Sequence, residues 1–167
     1  TKPPPPLAVS LQPPPPAPTS STSPTTVARV GVRDSICART TTTSSSPELP
    51  ASLDEISGLA ASRRHREVVW AIEDSGNPAV LTAIGLDGTI RATTTVVGVR
   101  NVDWEAIALR DGPRGDQLVI ADIGDNASQR TNVTFLLVDE PDLAATTAVA
   151  EVIVATYEDG PHNAEAI

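Results

Sequence analysis

One phrase in this chain is used more than once, and that constrains the fold more than any other feature. "NVDWEAIAL" (residues 101–109) returns as "HNAEAI" (162–167), and "SGLA" (57–60) stands in the same place ahead of both. Aligned on Ser57, Glu105 and Glu165, the intervals are 48 and 60 residues. Inside each interval the same succession recurs. A short small-residue stretch comes first, followed by an apolar run ending in an acidic turn ("VVWAIEDSGN", "LVIADIGDN"). A second apolar run follows ("VLTAI", "TFLLV"), then a longer alternating one ("TIRATTTVVGV", "AVAEVIVATY"). Val, Ile and Thr dominate these runs, and Gly, Pro, Asn and Asp divide them, so each unit reads as four strands joined by turns. "RDGPRGD" (110–116) is expected as a turn, and "PDLAATTAVAE" leaves room for one helical turn and no more.

Four strands at a period of about 50 residues predict a β-propeller blade. A β-sandwich with chance internal similarity is the alternative. The expected fold is all-β: a partial β-propeller, with blade one over about 53–100, blade two over about 101–157 and the first strand of a third over about 162–167. In such a ring the first strand of each blade lines the channel, the middle strands pack between blades and the last meets solvent. "SGLA" and "EAIA" suit the channel, "VVWAI" and "LVIA" the middle, "RATTTVVGV" the outside. Closed propellers have at least about four blades, so this chain is expected to stop partway round a ring.

Ahead of the repeat, 10 of the 16 prolines fall in the first 24 residues, among Ser and Thr. Ordering such a segment costs backbone entropy with little apolar surface to bury, so residues 1–49 are expected to be a disordered leader, a stalk or a spacer of no consequence. The chain opens on Thr1, as expected of a processed N-terminus or of a fragment. A leader of this kind suits a secreted or cell-envelope protein. No apolar stretch reaches the roughly 18 residues of a membrane helix, so no membrane insertion is expected. The single cysteine, Cys37, cannot close an internal disulfide.

Charge narrows the chemistry. Residues 51–167 carry eight arginines against nineteen carboxylates, a field that repels phosphate backbones and attracts cations, which excludes nucleic acid as a partner. The one lysine, Lys2, lies in the leader, so Schiff-base or phosphate-loop lysine chemistry has no place in the repeat. No G-x-S-x-G elbow, H-E-x-x-H, paired C-x-x-C or dinucleotide glycine signature occurs. The "RGD" at 114–116 reads as a turn tripeptide.

What remains is carboxylate chemistry. Glu105 and Glu165 hold the same place in successive units, on the strand assigned to the channel, whereas Ser57 stands there in the first. Like charges drawn together need a cation or a proton among them. Calcium suits carboxylate, amide and carbonyl oxygens in adaptable geometry. The bland alternative is that each Glu only accepts backbone N–H bonds and fixes packing. The turns "EDSGN" and "DIGDN" add Glu73, Asp74 and Asn77, and Asp122, Asp125 and Asn126, around a glycine; the second set is the stronger candidate, though any tight turn selects these residues. His162 precedes Glu165 by three residues and, with Asp125, is the candidate for acid–base work. His65, in "SRRHRE", is expected to be solvated, and Trp70 to lie in the core.

The run "EISGLAAS…VVWAIEDSGNPAVLTAIGLDGTI", then "NVDWEAIAL…LVIADIGDNASQR" and "HNAEAI", resembles secreted bacterial β-propeller proteins of the esterase-like phytase, gluconolactonase-like and NHL type. The resemblance covers about residues 50–167. It implies a metal in or near the channel with acidic ligands from inner strands, and hence Glu105 and Glu165 as ligands. An extracytoplasmic propeller that binds calcium and hydrolyses an ester or phosphoester of a small-molecule or polymer substrate is the expectation, with Asp122 and Asp125 as further ligands or water-positioning groups. The alternative is a non-catalytic binding or scaffold propeller recognising a protein or envelope polymer.

Overall fold

The computed structural model describes residues 47–167. The expectations for the leader before Pro47, including Cys37, lie outside the described residues. Eight strands form, and no helix is found among the described residues: β1 (Ile56–Ala61), β2 (Val68–Glu73), β3 (Val80–Gly85), β4 (Ile90–Val97), β5 (Trp104–Gly112), β6 (Gly115–Asp122), β7 (Val133–Asp139) and β8 (Thr147–Ala155). Each set of four is an antiparallel meander, β1 to β4 and β5 to β8.

The meanders join through a short parallel pairing of β4 with β8, Thr95 to Val97 against Thr147 to Val149, giving the order β1-β2-β3-β4-β8-β7-β6-β5. The two end strands, β1 and β5, then come together, so the sheet is nearly closed and barrel-like. Ser57 Oγ on β1 donates to the Trp104 carbonyl at 2.5 Å. Glycine at position 58 permits this approach, because a Cβ there would lie 3.0 Å from the Ile107 nitrogen.

Packing follows the alternation of the strands. Trp70, Ile72, Leu81, Ala83 and Val96 of the first meander meet Trp104, Ile107, Leu118, Ile120, Leu136 and Val138 of the second in one buried core. Apolar residues at period 2 turn one face of each sheet inward, and burying such side chains stabilises by about 1.5–3 kcal/mol apiece. A smaller cluster, Ala121, Ile123 and Val133, lies on the other face of the second meander, with Phe135 and Ala164 against it. The last strand of each meander is the most exposed, β4 along most of its length and β8 with Val149, Val152, Ile153 and Val154 all in water.

Two local details depart from the sequence pattern and one follows it. "RDGPRGD" is mostly strand: β5 and β6 pair down to Gly112 and Gly115, which leaves Pro113 and Arg114 as the turn. The Arg110 guanidinium holds Gln117 across that ladder at 2.9 and 2.7 Å, supporting the pairing at its end. "PDLAATT" makes a single turn, Ala145 N–H to Asp142 O at 2.9 Å, before β8 begins. His65 is half-buried rather than solvated. Its Nε2 lies 2.8 Å from the Pro141 carbonyl, and its backbone N–H donates to Ser62 Oγ at 2.7 Å. Trp70 is fully buried, and its indole N–H donates to Glu140 Oε1 at 2.8 Å, an oxygen that also accepts Ser62 Oγ. This network ties the β1–β2 turn to the end of β7.

Candidate metal centre

The two meanders share a feature that sequence spacing alone does not reveal. In β1 the register slips between Ile56 and Gly58, and in β5 between Trp104 and Ala106. The residues skipped are Ser57 and Glu105. Each is the extra residue of a β-bulge, which re-aims its side chain and bends the strand. Ser57 turns toward β5. Glu105 is buried, at 7% exposure, beside two other acids.

Those acids are Asp103, which immediately precedes β5, and Asp74, which follows β2. Asp74, Asp103 and Glu105 each present a carboxylate oxygen, all within 4.8 Å of one another. Asp103 is 8% exposed, and its Oδ1 is buried with no hydrogen-bond partner. Gly124 borders the cluster closely: a Cβ at that position would run into the Asp103 carboxyl and come within 2.5 Å of Glu105 Oε1.

The scaffold around the triad is dense. Asn101 donates to the Glu73 and Asp74 carbonyls, both at 2.8 Å, and accepts the Trp104 N–H at 3.0 Å, clamping the approach to β5 onto the end of β2. Asp122, at the end of β6, accepts the backbone N–H groups of Val102 and Asp103 at 3.1 and 3.2 Å and pairs with Arg130 at 2.7 Å. The Asp103 carbonyl in turn accepts Ile123 and Gly124 N–H. Asp125 accepts the N–H groups of Gln129 and Arg130 at 2.9 and 2.7 Å, and these bonds hold its carboxyl below the usual range. Asp122 and Asp125 thus serve as hydrogen-bond acceptors that shape the two loops flanking the cluster.

Glu165 is exposed and accepts Asn163 Nδ2 at 2.6 Å. Its carboxyl lies near enough to Glu105 to raise the pKa of that group. Asn163, standing where Asp103 stands in the preceding unit, fastens this segment by accepting the Asp125 N–H at 2.6 Å. His162 is exposed and pairs with Asp159 at 2.8 Å, with its ring edge-on to Tyr157.

The electrostatics follow from burial. The Glu105 carboxyl is pushed up to about 7, first by desolvation, then by Glu165 and by the charges of Asp74 and Asp103. Asp103 is raised as well, first by burial and then by Asp74. A cluster that resists ionisation on its own is one that a cation stabilises. The donors are carboxylate oxygens alone, which favours a hard divalent ion over zinc or copper. No family model, curated protein or solved structure matches the chain, so the geometry of the site carries the functional reading.

Proposed function

We propose that this chain is part of an extracytoplasmic β-propeller in which Asp74, Asp103 and Glu105 hold a divalent cation, calcium, where two blades meet, with Glu165 as a further oxygen donor. The observation that carries it is the buried Asp103 Oδ1, left without a hydrogen-bond donor in a group of three carboxylates within 4.8 Å. A buried acceptor that no N–H or O–H reaches costs about 1–3 kcal/mol. An ion among the three satisfies it.

Calcium fits because the donor set is all oxygen and comes from three separate segments, an arrangement that tolerates six to eight ligands better than the strict octahedron of magnesium. Two features support the propeller: the matching bulges at Ser57 and Glu105, and the repeated meander. When bound, the ion would polarise an ester or phosphoester and lower the pKa of a coordinated water. In this chain Asp122 and Arg130 hold the Asp103 backbone in position, and Asn101 holds the Asp74 side of the cluster to β5.

Thermal melting of EDTA-stripped protein, titrated with calcium chloride and in parallel with magnesium chloride, tests the reading. A saturable rise in Tm with calcium, absent in Asp103→Asn, is expected. No rise up to about 10 mM, above the weakest extracellular calcium modules, overturns it.

A further inference from the structure

At the end of the meanders away from the acidic cluster, the two units enclose a cavity between them. Its volume is about 470 Å³, and it is lined by Arg64 of the β1–β2 turn, by Arg114, Gly115 and Asp116 of the β5–β6 turn, and by Asp139 and Glu140 at the end of β7. That volume is in the range of small-molecule sites. The length of β5 separates the cavity from Glu105, roughly 25 Å at about 3.3 Å per residue.

Of the lining residues only Glu140 is buried, at 4% exposure. Its Oε1 accepts the Trp70 indole N–H at 2.8 Å and the Ser62 hydroxyl at 2.5 Å. Its Oε2 is buried with no hydrogen-bond partner among the described residues. A buried carboxylate oxygen without a donor is costly, so a donor from outside the chain is what completes the group.

The fold does not impose this glutamate. Register makes Leu86 its counterpart in the first meander, since Val68 pairs with Gly85 as Gln117 pairs with Asp139. The backbone is alike at both places: Leu86 N–H donates to the Glu67 carbonyl at 3.0 Å, and Glu140 N–H to the Asp116 carbonyl at 2.9 Å. An apolar residue therefore serves at this position of the repeat. Nor does the Trp70 indole require a charge, because a neutral amide oxygen also accepts an N–H. What the carboxylate adds is its second oxygen and its charge.

The charges around it are already paired. Arg114 meets Asp139 at 2.6 Å, Arg63 meets Asp116 at 2.5 Å, and Arg64 reaches Asp142 at 3.1 Å and the Glu140 carbonyl at 3.2 Å. Of the three carboxylates lining the cavity, Glu140 is the one with no cation paired to it among the described residues. One uncompensated carboxylate suits a monovalent cation that donates N–H bonds. A calcium ion would want about six to eight oxygen ligands and would face the two lining guanidiniums.

We propose that this cavity binds a primary ammonium group, carried by a free amine or by a lysine side chain, which donates to Glu140 Oε2. The ammonium reaches that oxygen by displacing rim side chains, of which Arg64 and Arg114 are 52% and 74% exposed. The net charge of −9 draws such cations to the surface. The inference does not depend on an ion at Asp103 and Glu105.

The test is tryptophan emission of the full chain in EDTA, because Trp70 shares the Glu140 carboxyl and EDTA keeps the acidic cluster free of metal. At about pH 7 an alkylammonium is fully charged. n-Butylammonium chloride and N-acetyl-lysinamide are titrated at constant ionic strength, with sodium chloride and tetramethylammonium chloride as cations that lack N–H donors. The first two should give a saturable change in the millimolar range and the controls none. Tighter saturation by N-acetyl-lysinamide assigns a lysine side chain, and saturation by butylammonium at least as tight assigns a free amine. Glu140→Gln keeps an acceptor for Trp70 and should weaken binding by about tenfold or more. Arg114→Ala removes a like charge at an exposed position and should tighten binding by about threefold. Circular dichroism checks both folds, and Arg114→Ala carries the test if Glu140→Gln fails to fold. No saturable change up to about 50 mM, well above a millimolar Kd, overturns the proposal. So does an equal response to tetramethylammonium, a Glu140→Gln variant that binds like the parent, or an Arg114→Ala variant that binds more weakly.

Discussion

Replacing Glu105 by Gln removes one charge from the acidic cluster while keeping its shape, and its effect on stability should reverse when calcium is added. In metal-free protein the Glu105 carboxyl titrates near 7 instead of 4.5, because burial first and neighbouring acids second hold its proton on. Between those two values the folded state binds more protons than the unfolded one, so stability falls as pH rises. The contribution is fully present below about 4.5 and is lost as pH climbs through about 7. A displacement of about 2.5 pH units, at about 1.4 kcal/mol each, amounts to roughly 3 kcal/mol lost by about pH 8. Gln carries no charge to desolvate, and its amide can donate to the acids around it.

In EDTA at about pH 8, Glu105→Gln should therefore be more stable than the parent by on the order of 3 kcal/mol, which is a rise in Tm of about 10 °C for a domain of this size. At about pH 4 the two should melt together. Saturating calcium should invert the order. Ligand at a thousand times its Kd stabilises by about 4.1 kcal/mol, more than the roughly 3 kcal/mol lost to ionisation, and the variant forfeits that gain with its ligand. Melts followed by circular dichroism in EDTA and in calcium, at both pH values, provide the four comparisons. A Gln variant less stable than the parent in EDTA at about pH 8, or calcium raising both Tm values equally, would refute the reasoning.

Three further outcomes follow from the contacts around the cluster and the core. Gly124→Ala should cost about 1–3 kcal/mol in urea unfolding and weaken the calcium response, because the added methyl meets the Asp103 and Glu105 carboxyls. Arg130→Met should destabilise by about 3–5 kcal/mol, since it leaves the buried Asp122 without its cation; a loss under about 1 kcal/mol would mean that the backbone N–H groups suffice. Glu140→Ala strands the indole N–H of Trp70 and should cost about 1–3 kcal/mol with a shift in tryptophan emission, whereas Glu140→Gln, which keeps an acceptor, should cost less.

The strands were legible because each is a short run rich in Val, Ile, Thr and Ala that ends in a residue that favours a turn, as "VVWAIEDSGN" does at Glu73 and "VLTAIGLDG" at Gly85. Glu105 was legible because a repeat marks the residue that stands in the same place each time. Asp103 was not singled out: it lies just outside a strand, and although Glu55 stands in its place in the unit before, Asn163 does so in the next, so the acid does not persist through the repeat. Its spacing two residues before Glu105, with no basic residue in the phrase between Asn101 and Leu109, was the available signal. Asp74 was read as one of several acids in a turn, behind the pair in "DIGDN". Which acidic turn faces a cluster and which spends its oxygens on backbone N–H groups depends on what lies across the fold. Only Asp74 presents a carboxylate oxygen to the acids at the start of β5, while Asp122 spends its oxygens on the Val102 and Asp103 N–H groups and Arg130, and Asp125 on the loop that follows β6.

The sequence by itself determined that this chain would be all-β, in two four-stranded units, acidic and without a lysine in the described repeat. Those properties depend on local turn chemistry, side-chain alternation and net charge, which each segment carries with it. The tertiary structure decided that the two units share one core, that matching bulges aim Ser57 and Glu105 differently, and that three carboxylates from two distant segments meet in one place. Such a meeting depends on how two sheets approach, and that is set by the summed packing of side chains distant in the chain.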